Sequence, residues 1–224
     1  MFNIIFAIFG VGCILLIGEV LWRLNLVRGE YARKFVHILT ATFAAFWAFY
    51  MPPSAIAFVA LCMIAVVLIV SKYSLFRSIR AIKRATYGEI WYPLGIGVTA
   101  LIFVDPYAYA IAILHLGLAD GMAAVVGVGL GKKAKIYKVG KSKKSVAGTA
   151  TFIAISFAIY LLFWLKFDPS GVFASSPGIA VLLSASSAIV VSAVEAIAPK
   201  GSDNIAVPVV AGLFAVLPTM QLIV

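Results

Sequence analysis

The sequence is poor in charged residues, which make up only 12% of its 224 positions. Soluble domains contain about 25% charged and about 45–50% apolar residues. Here hydrophobic residues reach 64%, and so few polar side chains cannot cover a core of that size in water. The composition therefore excludes a soluble globular class and predicts a protein whose solvent is the lipid bilayer.

Cysteine is nearly absent, and both Cys13 and Cys62 lie in apolar runs. Two isolated cysteines exclude a disulfide framework and a cysteine-based zinc site. The first residues lack a basic region and a small-residue cleavage site. We therefore interpret the N-terminal segment as a spanning helix and not as a removed signal peptide.

Long apolar segments recur along the chain, each near the roughly 20 residues that a spanning helix needs. Turn signals separate them, such as Met51-Pro52-Pro53-Ser54, which predicts a hairpin of the second and third segments. We expect the overlong fifth segment to be broken by its glycines or to leave the bilayer at its end. The sequence predicts one all-α membrane domain, 1–224, a polytopic helix bundle of about eight transmembrane helices, with seven as the alternative. The predicted spans are about 2–21, 35–51, 55–71, 88–104, 106–130, 150–166, 178–198 and 205–223.

Basic residues alternate sharply between the connecting loops. Of the eighteen lysines and arginines, only Lys166 falls on the side of the membrane opposite the others. The positive-inside rule makes the rich side cytoplasmic and places both termini outside. The sequence shows no organelle presequence, which favours a prokaryotic plasma membrane.

Acidic residues number only eight, and six of them lie at or near the predicted cytoplasmic ends of spans. Acids in such places are costly and usually functional. We expect Glu19 and Glu30 to pair with nearby basic residues. Asp120, Glu195 and Asp203 lie among small residues instead, which makes them the stronger candidates for a site.

Asp120 lies beside a helical stripe of small residues that includes Gly117, Gly121 and Ala124. Close helix packing explains such a stripe, but packing does not require the aspartate. A carboxylate at that depth needs a cation, and Mg²⁺ prefers carboxylates combined with substrate phosphates.

A basic run follows Asp120, with seven lysines within residues 132–144 and then Ser145, Gly148 and Thr149 before a predicted helix. Lysines and the N–H groups of a helix start both favour phosphate. The alternative is an ordinary cytoplasmic loop that contacts anionic lipid heads. The run is not a Walker loop, and the nearby glycines follow no strand, which excludes a dinucleotide fingerprint. With Asp120, it predicts a nucleoside triphosphate at the cytoplasmic membrane face.

Two further groups lie at the predicted cytoplasmic ends of helices. Arg33, Lys34 and His37 share one face at the start of the second span, where interfacial anchoring is the alternative role. Glu89 opens the fourth span and either contacts substrate or pairs with Arg84.

The last loop offers two interpretations as well. Ser202 or Asp203 can cap the last helix. Alternatively, Asp203, Asn204 and Glu195 supply acceptor oxygens near a phosphate site. His115 we interpret as structural.

The residue groups described above follow one another along the chain as a set of short sequence blocks. The blocks are Arg33-Lys34-x-x-His37, Gly88-Glu89, Asp120-Gly121-x-Ala123-x-x-x-Gly127-x-x-x-Gly131-Lys132, Lys144-Ser145-x-x-Gly148-Thr149, Glu195, and Asp203-Asn204-x-x-x-Pro208. From about residue 31 to 212 their order and spacing resemble the dolichol kinase / phytol kinase family. That family includes CTP-dependent diacylglycerol kinases and is distantly similar to phosphatidate cytidylyltransferases.

The resemblance implies an integral membrane enzyme that uses a nucleoside triphosphate, typically CTP, and a divalent metal such as Mg²⁺ to phosphorylate a lipid alcohol. It implies catalytic roles for Asp120, Asp203 and His37, with both aspartates as metal ligands, and supporting roles for Glu89 and Glu195. The implied nucleotide-binding residues are Lys132, Lys144, Ser145, Gly148, Thr149, Asn204, Arg33 and Lys34.

Several alternatives stay open. An isoprenoid alcohol (phytol, dolichol or another polyprenol) is favoured over diacylglycerol, and a cytidylyltransferase would release pyrophosphate where the kinase releases CDP. A small transporter would place polar residues near the bilayer midplane, whereas here they gather at one face. No nucleic-acid partner is expected. The choice of CTP or ATP, the general base and homo-oligomer formation are left open.

Overall fold

The computed structural model describes residues 1–73, 88–140, 142–167, 171–198 and 201–220. Several residues used in the sequence interpretation lie outside these ranges. They are Arg77, Arg80, Lys83, Arg84, Lys141, Asp168 and Lys200, together with the end of the predicted last span.

The described chain is almost entirely helical, which confirms the predicted fold class, and a helix coincides with each of the eight predicted spans. The helices are α1 (Phe2–Arg23), α2 (Glu30–Ala45), α3 (Pro53–Tyr73), α4 (Gly88–Ile102), α5 (Pro106–Leu114), α6 (Asp120–Gly129), α7 (Val146–Lys166), α8 (Val172–Ser175), α9 (Pro177–Ile197) and α10 (Asp203–Met220). Short 3₁₀ turns follow α2 and α6.

Within the described ranges, five helical segments are long and apolar enough to cross a membrane. They are Phe2–Arg23, Pro53–Tyr73, Pro106–Gly129, Val146–Lys166 and Pro177–Ile197. Helices α2 and α4 have only 16 and 15 residues, and the apolar part of α10 is also short. The first two turns of α2 carry the charged Glu30, Arg33 and Lys34, which lowers its apolarity. The count of eight spans therefore stays a prediction.

The overlong fifth segment is one helical rod of 24 residues, Pro106–Gly129. The Asp105 carboxylate accepts the Ala108 N–H at 2.7 Å and caps its start. A π turn, His115–Ala119, joins α5 to α6 directly before Asp120. The predicted break by glycines is wrong, because the glycines serve helix contacts instead.

Those contacts join the rod to α2. A Cβ on Gly117 would lie 2.4 Å from the Ala41 Cβ, and one on Gly121 would lie 2.2 Å from the Ile38 side chain. Only glycine allows the two helices to approach this closely. The approach brings Asp120 next to the first turns of α2.

The turn between α2 and α3 falls at the predicted prolines, since α3 begins at Pro53. The two helices nevertheless pack mainly against other partners: α2 against α1, α5 and α6, and α3 against α4. The central rod also contacts α7 and α10. Apolar side chains such as Leu61, Leu162 and Leu182 are exposed on the outer surface, as lipid-facing residues are in a membrane protein.

The lysine-rich run contains two strands that the all-α prediction missed. Strands β1 (Ile136–Val139) and β2 (Ser142–Ser145) form an antiparallel hairpin in which Tyr137 pairs with Lys144. The missed signal was a short β-branched and aromatic segment followed by Gly140. The hairpin holds the lysines on a defined frame directly before α7.

Candidate active site

Three carboxylates from three helices converge near one end of the bundle. Asp120 begins α6, Glu195 lies in the last turn of α9, and Asp203 begins α10. One carboxylate oxygen of each lies within 4.8 Å of the others. We call Asp120, Glu195 and Asp203 the acidic trio. Asp120 and Glu195 are buried and Asp203 is half-buried, so their grouping needs positive charge nearby.

Two lysines supply part of that charge. Lys34 of α2 is buried and forms an ion pair with Asp120. Lys144 of β2 forms an ion pair with Glu195, and its ammonium also donates to the Glu195 backbone carbonyl at 3.0 Å. Among the described residues, Asp203 has no ion-pair partner; its Oδ1 accepts the Asn204 N–H at 3.2 Å. Three carboxylates thus face two ammonium groups. One negative charge is left uncompensated, which favours the binding of a further cation.

The donor set of the acidic trio fits a divalent metal. Hard cations such as Mg²⁺ prefer carboxylate oxygens. Two oxygens on opposite sides of one Mg²⁺ lie about 4.2 Å apart, since each Mg–O distance is about 2.1 Å. Neighbouring oxygens on the same ion lie about 3.0 Å apart, so the trio oxygens, within 4.8 Å of one another, would close around the ion by side-chain movement. The sequence predicts Glu195 only as a supporting residue. In the structure its carboxylate belongs to the same cluster as the two predicted metal ligands, Asp120 and Asp203.

His37 lies beside the acidic trio and is buried. Its Nε2 is 2.8 Å from the Leu116 carbonyl oxygen, in the π turn, and 3.5 Å from Asp120 Oδ2. Its ring packs against Tyr92 with 4.3 Å between centroids, and the Tyr92 hydroxyl donates to the His37 backbone carbonyl at 2.9 Å. These contacts hold the imidazole in one orientation. Tyr92 is not among the site residues that the sequence predicts.

Arg33 lies one residue before Lys34 but does not reach the trio by an ion pair. It pairs with Glu30, with 3.2 Å between Arg33 Nε and Glu30 Oε2. This confirms the expected pairing of Glu30, and the 3.0 Å contact of Arg23 with Glu19 confirms the other. Arg33 and Glu89 instead line a neighbouring cavity, together with His37. The alternative partner of Glu89, Arg84, lies outside the described residues.

The start of α7 contains the predicted phosphate-binding sequence. The Ser145 hydroxyl accepts the Gly148 N–H at 3.0 Å and caps the helix. Thr149 Oγ1 lies 2.5 Å from the Tyr137 hydroxyl. A Cβ on Gly148 would lie 2.8 Å from the Ala123 carbonyl oxygen, so glycine allows this helix start to contact α6. The cap, the hairpin and Lys144 thus form one unit beside the acidic trio.

Two predicted nucleotide-binding residues have other surroundings. Asn204 is buried, and its amide donates to the Gly201 carbonyl at 3.0 Å, which holds the turn before α10. Lys132 is exposed in the 3₁₀ turn after α6, without a hydrogen bond to the trio among the described residues. Their contacts with a nucleotide stay predictions. His115 is buried with its Nδ1 at 2.8 Å from the Ile111 carbonyl oxygen, as a structural residue would be.

Comparison with known proteins supports one relationship. The chain is 29% identical over 208 residues to a phytol kinase from Synechocystis sp. (strain ATCC 27184 / PCC 6803 / Kazusa), covering 91% of this chain and 86% of that protein. No protein-family model and no solved structure matches the chain. The similarity supports the family expected from the motifs, that of the dolichol and phytol kinases, and indicates an enzyme that transfers a phosphoryl group to an alcohol.

Proposed function

We propose that this protein is a CTP-dependent lipid-alcohol kinase that phosphorylates a long-chain isoprenoid alcohol at the cytoplasmic face of a prokaryotic plasma membrane. The observation that carries the proposal is the meeting of the acidic trio with Lys34 and Lys144 at one end of the bundle. The similarity to a phytol kinase supports an isoprenoid alcohol as acceptor. The positive-inside pattern supports the cytoplasmic location.

The reaction needs charge neutralisation more than covalent chemistry by the protein. Phosphoryl transfer depends mostly on positioning and on electrostatic stabilisation of the phosphate oxygens. A divalent cation such as Mg²⁺, when held by Asp120, Glu195 and Asp203, would neutralise the nucleotide phosphates. Lys34 and Lys144 bind the same phosphates as point charges. In the structure they compensate the charge of two trio members.

The lysines and carboxylates thus have two sets of partners. In the structure, Lys34 pairs with Asp120 and Lys144 with Glu195. With nucleotide, each ammonium turns to a phosphate oxygen and releases its carboxylate. A divalent cation held by the released carboxylates would replace the two positive charges of the lysines, as a low-dielectric site requires.

The acceptor hydroxyl loses its proton as the new O–P bond forms and the bond to the leaving CDP breaks. Asp203 is the trio member without an ion-pair partner among the described residues, so we assign as proton acceptor the Asp203 oxygen that the cation would leave free. His37, held against Leu116 and Tyr92, orients the acceptor next to Asp120. The basic hairpin and the cap at Ser145 bind the nucleotide from the aqueous side.

The position of the site suits two substrates of opposite solubility. A nucleotide is confined to water and a long-chain alcohol to the bilayer. Glu195 lies in the last turn of α9 and Asp203 begins α10, while Asp120 lies nine residues before Gly129, the end of the central rod, so we expect both substrates to reach the trio. A site of this kind also separates the enzyme from a transporter, whose polar residues lie near the midplane.

The test uses the purified chain in liposomes with Mg²⁺ and CTP labelled in its γ-phosphate. Phytol, a polyprenol and diacylglycerol are offered separately, beside the variant Asp120→Asn. Label entering an isoprenoid alcohol, and lost in the variant, supports the proposal. Label entering only diacylglycerol assigns a diacylglycerol kinase. Pyrophosphate release with phosphatidate assigns a cytidylyltransferase, and intact nucleotide with every lipid overturns the kinase.

A further inference from the structure

A cavity of about 210 Å³ lies between the first four helices of the described chain. Helices α1 and α3 contribute apolar side chains, and α2 and α4 contribute the polar groups Arg33, His37, Thr40, Glu89 and Tyr92. The apolar lining includes Ile8, Val11, Leu15, Val59, Met63 and Val67.

The cavity has one polar end. Arg33 lies in the first turn of α2 and Glu89 in the first turn of α4. Val59 and Ile8 lie 14 and 15 residues from the adjacent ends of α3 and α1, which is about 21 Å along a helix. The cavity therefore runs from the charged ends of the helices into the apolar middle of the spans.

The polar end adjoins the acidic trio. His37 lines the cavity, and its Nε2 is also 3.5 Å from Asp120 Oδ2. Tyr92 lines the cavity too and supports the imidazole. A chain held in the cavity would thus carry its hydroxyl group to the trio at His37.

We propose that this cavity binds the hydroxyl end and the first part of the chain of a single-chain lipid alcohol. The assignment rests on the proposed kinase function, and it deepens it by placing the acceptor. A cavity of about 210 Å³ is smaller than the pockets of about 300–1,000 Å³ that enclose drug-sized ligands. It has room for part of one chain and not for the glycerol branch point with two chains.

Gly12 of α1 is a position at which a substitution can test this assignment. Gly12 lines the cavity, and a Cβ added there meets nothing within 4 Å. A Cβ at Gly12 has space, so we expect a large side chain there to fill part of the cavity. Gly178 of α9 is exposed and has equally open surroundings, but it lies outside the lining. Gly178→Phe is thus a matched control for Gly12→Phe.

The binding test needs no catalysis. A long-chain isoprenoid alcohol with a photoreactive diazirine near its hydroxyl is incorporated into liposomes with the full chain, and the labelled residues are mapped by mass spectrometry. We expect label on cavity residues near its polar end, on α2 and α4, competed by excess unmodified alcohol and not by a diacylglycerol. Gly12→Phe should remove this label and Gly178→Phe should keep it. Label spread over lipid-facing residues such as Leu16, Leu61 and Leu68, or unchanged by Gly12→Phe, overturns the assignment.

A kinetic arm separates this inference from the function on which it rests. Gly12→Phe should raise the KM for the alcohol, expressed as its mole fraction in the membrane, by about tenfold, which corresponds to about 1.4 kcal/mol of lost binding. The KM for nucleotide should not change. Phosphorylation with an unchanged alcohol KM removes the cavity assignment and leaves the kinase. Cavity labelling without phosphorylation by any nucleotide removes the kinase and leaves a lipid-binding cavity.

Discussion

Lys144 and Glu195 lie 51 residues apart in the chain, yet the Lys144 ammonium contacts both the Glu195 carboxylate and its backbone carbonyl. The contact joins the basic hairpin to the end of α9. It places Lys144, the side chain that we propose binds nucleotide phosphate, directly at a member of the acidic trio. The hairpin and the trio are therefore parts of one site.

We expect Lys144→Ala to raise the KM for nucleotide by about tenfold or more, since a hydrogen bond to a charged group contributes about 1.5–3 kcal/mol. Lys143→Ala is the matched control, because Lys143 lies on the same strand and is exposed. Steady-state kinetics with varied CTP give both values. Equal effects of the two substitutions would show that the lysines act only through general charge.

Asp120→Asn should lower kcat by about 100-fold or more, the cost of losing one strong electrostatic contact in an active site. The amide keeps the shape of the side chain but neither binds a metal as a carboxylate does nor compensates Lys34. Asp105→Asn is the control, since Asp105 caps the other end of the same helical rod. Retained activity in Asp120→Asn, with a folded protein in both variants, would contradict the assigned role.

The ion pair of Lys34 with Asp120 is buried, and breaking it from one side should destabilise the protein. We expect Lys34→Met to lower the free energy of unfolding by about 3–5 kcal/mol, because it leaves an uncompensated buried charge. Lys34→Met combined with Asp120→Asn should recover part of that loss but no activity. Thermal unfolding of the single and double variants in detergent measures the coupling. Strictly additive losses would mean that the pair does not interact.

The acidic trio should bind a divalent cation in the absence of turnover. At a Mg²⁺ concentration of about 100 times Kd, binding to the folded state adds about 2.7 kcal/mol, or roughly 5–10 °C in Tm. Glu195→Gln should reduce this shift because it removes one of three ligands. The comparison uses sodium chloride at equal ionic strength. A shift that is the same in Glu195→Gln would place the ion elsewhere.

Gly95 of α4 lies against the start of α10, which carries Asp203. A Cβ at Gly95 would lie 2.0 Å from the Asn204 carbonyl oxygen. Gly95→Ala should therefore displace Asp203 and lower both kcat and Tm, although alanine in a helix normally adds about 1 kcal/mol of stability over glycine. Gly178→Ala, in open space, should not lower either value. A Gly95→Ala protein with unchanged kcat would show that α10 tolerates the shift.

Many residues of this site could be predicted from the residue types and their positions in the sequence. Asp120, Glu195 and Asp203 were selected because each carboxylate lies among small residues near a span end, where it cannot be solvated as in water. Ser145 was selected as a phosphate-binding residue before a predicted helix, and its role as the cap of that helix appears only in the structure. The hairpin was missed because the density of lysines hid a short β-branched segment.

Other features depend on which helices pack together. Lys34 and Asp120 are 86 residues apart, and their pairing depends on Gly117 and Gly121 allowing α2 to approach the central rod. The cavity required four helices to leave a gap that no single segment reveals.

The sequence by itself determined that the chain is suited to a lipid environment, where its helices lie and which acidic residues are candidates for a site. These features follow from the apolar excess, the length of the apolar segments and the residue types. The tertiary structure decided which lysine meets which carboxylate, that Glu195 joins the two aspartates, and where a lipid chain has room. Those relations arise from helix-to-helix distances, and steric contacts between residues far apart in the chain set these distances.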